Sequence, residues 1–265
     1  MHHGEKDRGD DPVNDVLAVV KGNRAVARDT FLMDLDCALE PSLPGQFLMV
    51  KVSSSCELFL RRPLAILGQG EGTLEILYKL KGEGTLELSR KKPGDVLWVL
   101  GPLGNCFSPP QNGESALFVA GGTGLPPVLA LASRVGSGAL VIGARSKGDI
   151  PLLDRMNSLK GVAVYPVTED GSLGRRGMAT DVLGELLAGA AGPCAVYACG
   201  PRGMLEKACE LSGVAAARCE VSLEEYMACG FGVCSACTVK TSAGPRRVCS
   251  NGPVFDAATI AWGAR

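Results

Sequence analysis

The stretch ALFVAGGTGLPPVLALA, residues 116–132, decides the fold of the central part of the chain. It begins with an apolar run of strand length and ends in a segment that is compatible with a helix. Pro126 and Pro127 fall in the first helical turn, where the backbone amides lack a helical partner and proline is tolerated. A glycine loop between a strand and a helix presents free amides to a phosphate. The loop departs from the full G-x-G-x-x-G pattern, so by itself it is equally compatible with a simple tight turn.

More apolar runs of strand length follow this stretch and alternate with helix-compatible segments. Such alternation predicts a parallel sheet covered by helices on both faces, which we assign to residues 111–215. The last run ends in the turn Cys199-Gly200-Pro201. Because ligands bind at the carboxyl ends of strands in open parallel sheets, this turn and the glycine loop are expected to border one crevice. The three further runs are ALVIGA at 139–144, VAVYPV at 162–167 and AVYACG at 195–200.

The chain before this domain has a different pattern, with six short β-rich runs separated by Gly and Pro between residues 16 and 107. Evenly spaced strands with turn signals between them predict an antiparallel barrel or sandwich, which we assign to residues 14–110. Polar linkers are expected near residues 108–114 and 212–219.

Two features of this β-rich part suggest a site for an anion or a flat polar ring. Arg61 and Arg62 interrupt an apolar strand, and half-buried arginines are unfavourable unless they meet such a partner. Gly82, Gly84 and Thr85 follow in a second amide-rich turn, which would suit a pyrophosphate. The alternative is that the arginines lie on an exposed edge and that the turn belongs to a hairpin.

The strongest local motif is CGFGVCSACTVKTSAGPRRVC at residues 229–249. It places Cys229, Cys234, Cys237 and Cys249 at C-x4-C-x2-C-x11-C, the spacing of plant-type 2Fe–2S ligands. A zinc site is the main alternative, although zinc sites usually pair two C-x2-C knuckles, and two disulfides are a weaker one. Residues 216–265 are too few to bury much surface, so this segment is expected to need a metal centre and the other domains.

Composition narrows the class of protein. The 27 basic and 28 acidic residues give a net charge of −1, so nucleic acid is not an expected partner. A hydrophobic content of 46% is typical of a soluble globular protein, and no segment predicts a membrane span. Eleven cysteines are an odd number, which disfavours a secreted disulfide framework. Both histidines lie in residues 1–13, which we expect to be a disordered tail, so no catalytic histidine is predicted.

The order of these motifs resembles the ferredoxin-reductase superfamily, and specifically the iron–sulfur flavoprotein electron-transfer subunits of NAD-linked dihydroorotate dehydrogenase. The resemblance covers residues 16–255. It is closest in LRRPLAI at 60–66, GPLGNCF at 101–107, SLEEYMACGFGVCSACTVK at 222–240 and VCSNGPVF at 248–255.

The resemblance implies a multi-domain protein with an antiparallel FAD-binding β-barrel, a parallel-sheet NAD-binding domain and a small C-terminal 2Fe–2S domain over residues 216–265. One departure concerns Ala65, where relatives commonly carry Ser or Thr, so a hydroxyl near the flavin is absent. The implied cofactor-binding residues are Arg62, Pro63, Leu64 and Ala65 for the flavin, Gly82, Gly84 and Thr85 for the FAD pyrophosphate, Gly122, Thr123, Gly124, Cys199, Gly200 and Pro201 for the nicotinamide nucleotide, with Tyr78 and Lys79 completing the set.

The resemblance also implies a function. A partner subunit holding FMN would oxidise dihydroorotate, and electrons would pass through the 2Fe–2S cluster and FAD to NAD+, in a cytoplasmic heterotetramer with two copies of each subunit. The first alternative is the flavin and iron–sulfur subunit of another NAD(P)H-ferredoxin or sulfide oxidoreductase. The second, from a different class, is a zinc-stabilised binding module. NAD rather than NADP is implied by the resemblance alone, since residues 143–149 contain an Arg and a Lys that could meet a 2′-phosphate.

Overall fold

Two large β-sheets form the framework of the protein, and a computed structural model describes residues 15–53 and 58–263. The expected tail at residues 1–13 lies outside these ranges. The strands are β1 (Asp15–Ala27), β2 (Thr30–Cys37), β3 (Phe47–Lys51), β4 (Arg62–Gly70), β5 (Thr73–Lys79), β6 (Val96–Leu103), β7 (Ser115–Gly121), β8 (Gly138–Ala144), β9 (Val162–Thr168), β10 (Arg175–Arg176), β11 (Cys194–Cys199), β12 (Arg218–Ser222), β13 (Thr238–Thr241), β14 (Gly244–Arg247) and β15 (Val254–Asp256). The helices are α1 (Glu83–Ser89), α2 (Leu125–Val135), α3 (Leu153–Asn157), α4 (Ala179–Ala188), α5 (Arg202–Val214) and α6 (Val248–Asn251).

The first six strands close into an antiparallel barrel in the order β1-β2-β5-β4-β3-β6. This confirms the barrel and its six predicted strands. One strand is shorter than expected, because β4 begins at Arg62 and leaves Arg61 outside the ladder. The reason is its partner, since β3 ends at Lys51 and its pairing with β4 stops at Val50 opposite Arg62.

The second sheet has seven strands in the order β10-β9-β8-β7-β11-β12-β15. All neighbours are parallel except β15, which runs antiparallel to β12. The parallel sheet predicted from the four apolar runs is therefore confirmed. Two of its strands, β12 and β15, come from the chain after residue 216, so this part of the chain completes the sheet, and it adds a separate two-stranded sheet of β13 and β14.

Helices cover both faces of this sheet, as the uninterrupted apolar strands predict. Leu117 and Val119 of β7 lie in one apolar core together with residues of α4 and α5. Phe118 and Ala120, which point the other way, lie in a second core with residues of α2. No helix within the described part of the chain is long and apolar enough to span a bilayer.

The cysteine-rich segment packs onto the outer wall of the barrel. Cys237 and Cys249 share an apolar core with Met49 of β3 and Leu100 of β6. Gly230, at a φ of 85°, sits so close to Met49 that a Cβ would overlap its side chain. The segment thus uses the barrel and the sheet to bury its apolar residues, as its shortness predicts.

Candidate functional site

A cavity of about 730 Å³ lies between the barrel, the carboxyl end of the parallel sheet and the segment that leads into the cysteine motif. Its size falls within the usual range for small-molecule and cofactor sites. The predicted cofactor-binding residues that line it are Arg62, Pro63, Leu64, Ala65, Tyr78, Lys79, Gly82, Gly84, Thr85, Thr123 and Cys199. Residues that are distant in sequence and belong to two sheets therefore meet around one space.

The arginine strand and the Gly-x-Gly-Thr turn are in direct contact. The guanidinium of Arg62 lies over Gly84, where a Cβ would overlap it, and it donates to the Leu60 carbonyl. Thr85 Oγ1 accepts from the Lys81 amide at 2.9 Å and donates to the Gly82 carbonyl at 3.0 Å. The turn opens helix α1 rather than a hairpin, with Gly82 as its N-cap residue. A positive charge and a turn thus form one wall, as an anionic cofactor requires.

The glycine loop and the Cys-Gly-Pro turn meet at the end of adjacent strands. Cys199 pairs with Ala120 in the ladder between β11 and β7, and a Cβ on Gly124 would overlap the Cys199 carbonyl. Gly200 likewise lies against Gly121, because a Cβ added to Gly200 would be 3.0 Å from the Cα of Gly121. The prediction that both turns border one crevice is confirmed. The remaining predicted residues, Gly122, Gly124, Gly200 and Pro201, form this junction and are not part of the cavity lining.

The segment Ser222–Met227 also lines the cavity, although none of its residues was among the predicted cofactor-binding residues. Ser222 is buried and pairs with Cys199 across β11 and β12. Glu224 Oε2 lies 3.8 Å from Lys81 Nζ on the opposite wall. SLEEYMA at residues 222–228 lies in a stretch of close family resemblance, but its residue types and spacing do not by themselves indicate contact with a cofactor.

Cys199 is fully enclosed, and burial raises the pKa of its thiol above the ordinary value. Glu224 acts in the same direction, whereas a hydrogen bond from Ser222 acts against it. The Cys199 thiol is therefore neutral at physiological pH. Tyr78 is also neutral, because burial raises its pKa to about 12, and its hydroxyl donates to Asn23 Oδ1 at 2.8 Å inside the barrel. Its hydroxyl is thus not directed at the cavity.

The four cysteines of the motif lie as two contacting pairs. The Cys234 amide donates to Cys229 Sγ at 3.5 Å, and the Cys249 amide donates to Cys237 Sγ at 3.4 Å. Within residues 15–53 and 58–263, no three His, Cys, Asp or Glu side chains converge as ligands of one metal ion would. Two pairs of thiols match the need of a two-iron cluster, in which each iron takes two protein sulfurs.

The electrostatics of these thiols also fit a metal cluster. Burial raises the pKa of Cys229, but the amides of Cys234, Phe231 and Val233 outweigh it and lower the pKa to about 6. Burial first, and then the neighbouring Cys237, raises the pKa of Cys249 to about 12. The thiols of these two pairs cannot all ionise without a cation, so bound iron would supply the missing positive charge. Cys229, Cys234, Cys237 and Cys249 are the residues that would hold it.

Two parts of the chain match families. Residues 224–261 match the iron–sulfur cluster binding domain of dihydroorotate dehydrogenase B, and residues 118–210 match the oxidoreductase NAD-binding domain. The first match contains all four cysteines of the motif. The second begins within β7 and ends within α5, so it spans both turns that border the crevice.

Curated relatives match over nearly their whole length. The chain is 38% identical over 242 residues to the dihydroorotate dehydrogenase B (NAD(+)) electron transfer subunit of Caldanaerobacter subterraneus, covering 90% of this chain and 95% of the relative. It is 39% identical over 257 residues to the subunit of the same name from a Geobacillus species, covering 92% and 97%. Among solved structures, an NADH-dependent reduced ferredoxin-NADP oxidoreductase superimposes with a TM-score of 0.84 at 27% identity, covering 93% of this chain and 90% of that one.

Proposed function

The chain belongs to the family of dihydroorotate dehydrogenase B electron transfer subunits, and on that premise we propose that it carries electrons from a dihydroorotate-oxidising partner to NAD+. Oxidation of dihydroorotate to orotate releases two electrons and two protons. NAD+ takes up both electrons with one of these protons as a hydride, and the second proton goes to solvent. A flavin, when bound, exchanges electrons singly with a 2Fe–2S cluster and in pairs with nicotinamide, which links the two ends of this reaction.

One observation carries the proposal. A single cavity is lined by the arginine strand of the barrel, by Thr123 and Cys199 at the crevice of the parallel sheet, and by Ser222–Met227. That last segment ends two residues before Cys229, the first predicted cluster ligand. The flavin site, the nicotinamide site and the cluster site are therefore neighbours, which electron transfer by short steps requires.

The chain's own residues would bind and orient FAD and NAD. Arg62, fixed over Gly84, would face a negatively charged part of FAD, and the turn from Gly82 to Thr85 would accept the pyrophosphate. Thr123 and Cys199 would hold the nicotinamide end of NAD against the flavin. Since Cys199 is a neutral thiol, it would pack there without repelling the transferred hydride.

The partner that we propose is an FMN-containing catalytic subunit, in an assembly of two copies of each chain. Its docking site would include the cluster face, which we define as Tyr226, Phe231 and Val233. These side chains are 94%, 47% and 76% exposed, although all three are large and apolar. Exposed apolar groups around a redox centre favour a protein partner at that position.

We assign NAD as the acceptor from the names of the relatives. Glu169 and Asp170 follow the end of β9, where either a ribose or a loop turn can engage them, and the turn is supported for Asp170, whose Oδ1 accepts from the amide of Ser172 at 2.9 Å. We also propose a cytoplasmic location. Cys37, Cys194, Cys199, Cys209, Cys219 and the four cysteines of the motif are free thiols, which suits a reducing compartment.

The test is anaerobic reduction of the chain co-purified with its native partner. Dihydroorotate should bleach the flavin and iron–sulfur absorbance, and NAD+ should restore it with formation of one NADH per orotate. Bleaching by NADH combined with none by dihydroorotate would overturn the assigned substrate. Absence of flavin, iron and acid-labile sulfide from the purified chain would overturn the whole proposal, including its cofactors.

A second candidate is favoured by the solved structure with a TM-score of 0.84, which is a ferredoxin-NADP oxidoreductase. In that case, reduced ferredoxin would reduce the cluster and NADP+ would reoxidise the protein as efficiently as NAD+. The ratio of kcat/KM for NAD+ over NADP+, measured with each electron donor, separates the two candidates.

A further inference from the structure

Four large apolar side chains lie exposed together on the outer wall of the barrel. We call this set, Leu17, Val19, Val96 and Trp98, the barrel strip. Their exposed fractions are 50%, 36%, 52% and 42%. In the ladder between β1 and β6, Leu17 is directly opposite Trp98 and Val19 is directly opposite Val96, so the four side chains form one continuous patch.

The barrel strip is a local feature of the wall. Further along β1, the outward residues are charged and pair with β2, as in Lys21 with Asp36 at 3.2 Å and Arg24 with Asp34 at 2.6 Å. Those pairs are typical of a sheet face in water. The change from charged to apolar residues within one strand therefore indicates that the barrel strip contacts something other than water.

The barrel strip is continuous with a wall that another part of the protein already covers. Leu100 follows Trp98 by two residues on β6, so it points outward on the same face about 7 Å further on. It is only 7% exposed because it lies in the core shared with Met49 and Cys237. The part of the barrel wall that the cysteine-rich segment covers thus ends where the barrel strip begins.

The cluster face therefore adjoins the barrel strip. Phe231 directly follows Gly230, which packs on Met49, and Met49 pairs with Leu100. Between the two patches, Arg61 forms an ion pair with Asp15 at 2.6 Å. A single body that approached the cluster would cover both patches.

The areas favour one partner for both patches over a separate contact for each. The barrel strip exposes on the order of 400 Å² of side chain, half of the roughly 800 Å² per partner that a stable interface buries. The cluster face adds on the order of 500 Å², and the two together reach that size. The barrel strip alone is too small to hold a second copy of this chain.

We propose that the barrel strip and the cluster face form one docking surface for the dihydroorotate-oxidising subunit. The proposal rests on the function proposed above, because it takes its partner from it. The barrel strip would anchor the partner through Trp98, an aromatic residue of the kind that dominates binding energy, and the anchored partner would cover the cluster.

The experiment compares Trp98→Lys with Val214→Lys in the FAD- and iron-loaded chain. Val214 is 90% exposed at the end of α5 in the α/β domain, so its variant adds the same charge away from both patches. Binding to the purified partner subunit is measured by titration, and the NADH-dependent reduction of ferricyanide by the chain alone serves as a check of folding. Trp98→Lys should weaken binding at least tenfold, Val214→Lys should not, and neither should change ferricyanide reduction.

Equal binding by both variants would overturn the docking surface. So would a chain that is dimeric alone and becomes monomeric in Trp98→Lys with unchanged affinity for the partner, because the barrel strip would then be a contact between copies. If Trp98→Lys loses flavin or ferricyanide reduction, Leu17→Lys replaces it with the same expected tenfold loss. Failure of the unsubstituted chain to bind the subunit would instead overturn the proposed function itself.

Discussion

The carboxylate of Asp149 in the α/β domain lies 3.9 Å from the ammonium group of Lys79 in the barrel. Asp149 is only 8% exposed, and it also lies 3.5 Å from Arg28, in the turn between β1 and β2. Its Oδ2 accepts from Ser146 at 2.7 Å, whereas its Oδ1 has no hydrogen-bond partner among the described residues. Because Lys79 lines the cavity, this buried charge links the two domains beside one wall of the site, as does the ion pair of Arg155 with Glu75 at 2.9 Å.

Asp149→Asn should therefore lower the free energy of unfolding by about 1–3 kcal/mol, because it removes the buried negative charge that two barrel cations face. Urea denaturation followed by circular dichroism measures the loss. The matched control is Glu210→Gln, which removes an exposed pair with Lys207 and should cost less than about 0.5 kcal/mol. Equal losses in the two variants would show that Asp149 is not a link between the domains.

Replacing Cys234 by serine should remove the cluster and leave the flavin in place. Cys234 forms a pair with Cys229 and is the exposed member of the four, so its substitution disturbs little packing. Iron and acid-labile sulfide should fall to near zero, with the FAD content unchanged. Cys209→Ser is the control, because Cys209 is a free thiol of α5 outside the motif. Retention of iron by the Cys234 variant would exclude it as a ligand.

Gly84→Ala should weaken FAD binding through Arg62. A Cβ at residue 84 would overlap the guanidinium and force it aside, while alanine itself is favourable in a helix. We expect a tenfold or larger rise in the Kd of FAD, measured by flavin fluorescence on reconstitution. Gly82→Ala adds a Cβ into open space with an extended backbone, so it should leave the position of Arg62 unchanged.

A double variant distinguishes displacement of Arg62 from a general fault in the turn. If Gly84→Ala acts by moving the guanidinium, adding it to Arg62→Ala should cause little further loss of FAD affinity. Fully additive losses would mean that residue 84 affects the cofactor by another route.

The features that could be predicted from the sequence are those contained in short, continuous stretches of the chain. The strand that opens into Gly122–Gly124, the Cys199 turn and the spacing from Cys229 to Cys249 are continuous motifs, so their residue types alone indicate the structure. Asp149, Ser222 and Trp98 were missed, because their roles depend on partners more than 20 residues away in the chain. Tyr78 belongs to the predicted cofactor set and lines the cavity, but its hydroxyl is bonded to Asn23 inside the barrel, so its role at the cofactor stays a prediction.

The contact between Glu114 and Arg218 should make the stability of the protein depend on acid. Arg218 begins β12 and lies 3.0 Å from Glu114, which precedes β7, so the pair spans β11, the strand that lies between these two in the sheet. The hydrogen bond from Arg218 holds the pKa of Glu114 below its ordinary value of 4.5, outweighing burial, which raises it. A group whose pKa is lowered on folding stabilises the protein above its unfolded pKa, and this contribution is lost as the pH falls through the folded value.

Glu114→Gln should accordingly be less stable than the wild type at pH 6 to 7, and the difference should shrink as the pH falls below about 4.5. Urea unfolding of both proteins at pH 7, 5, 4 and 3 measures this difference. The Gln side chain keeps the shape and one acceptor, so a difference that shrinks with acid reports the charge. A difference that stays constant from pH 7 to pH 3 would mean that packing or the hydrogen bond, and not the carboxylate charge, stabilises this contact across β11.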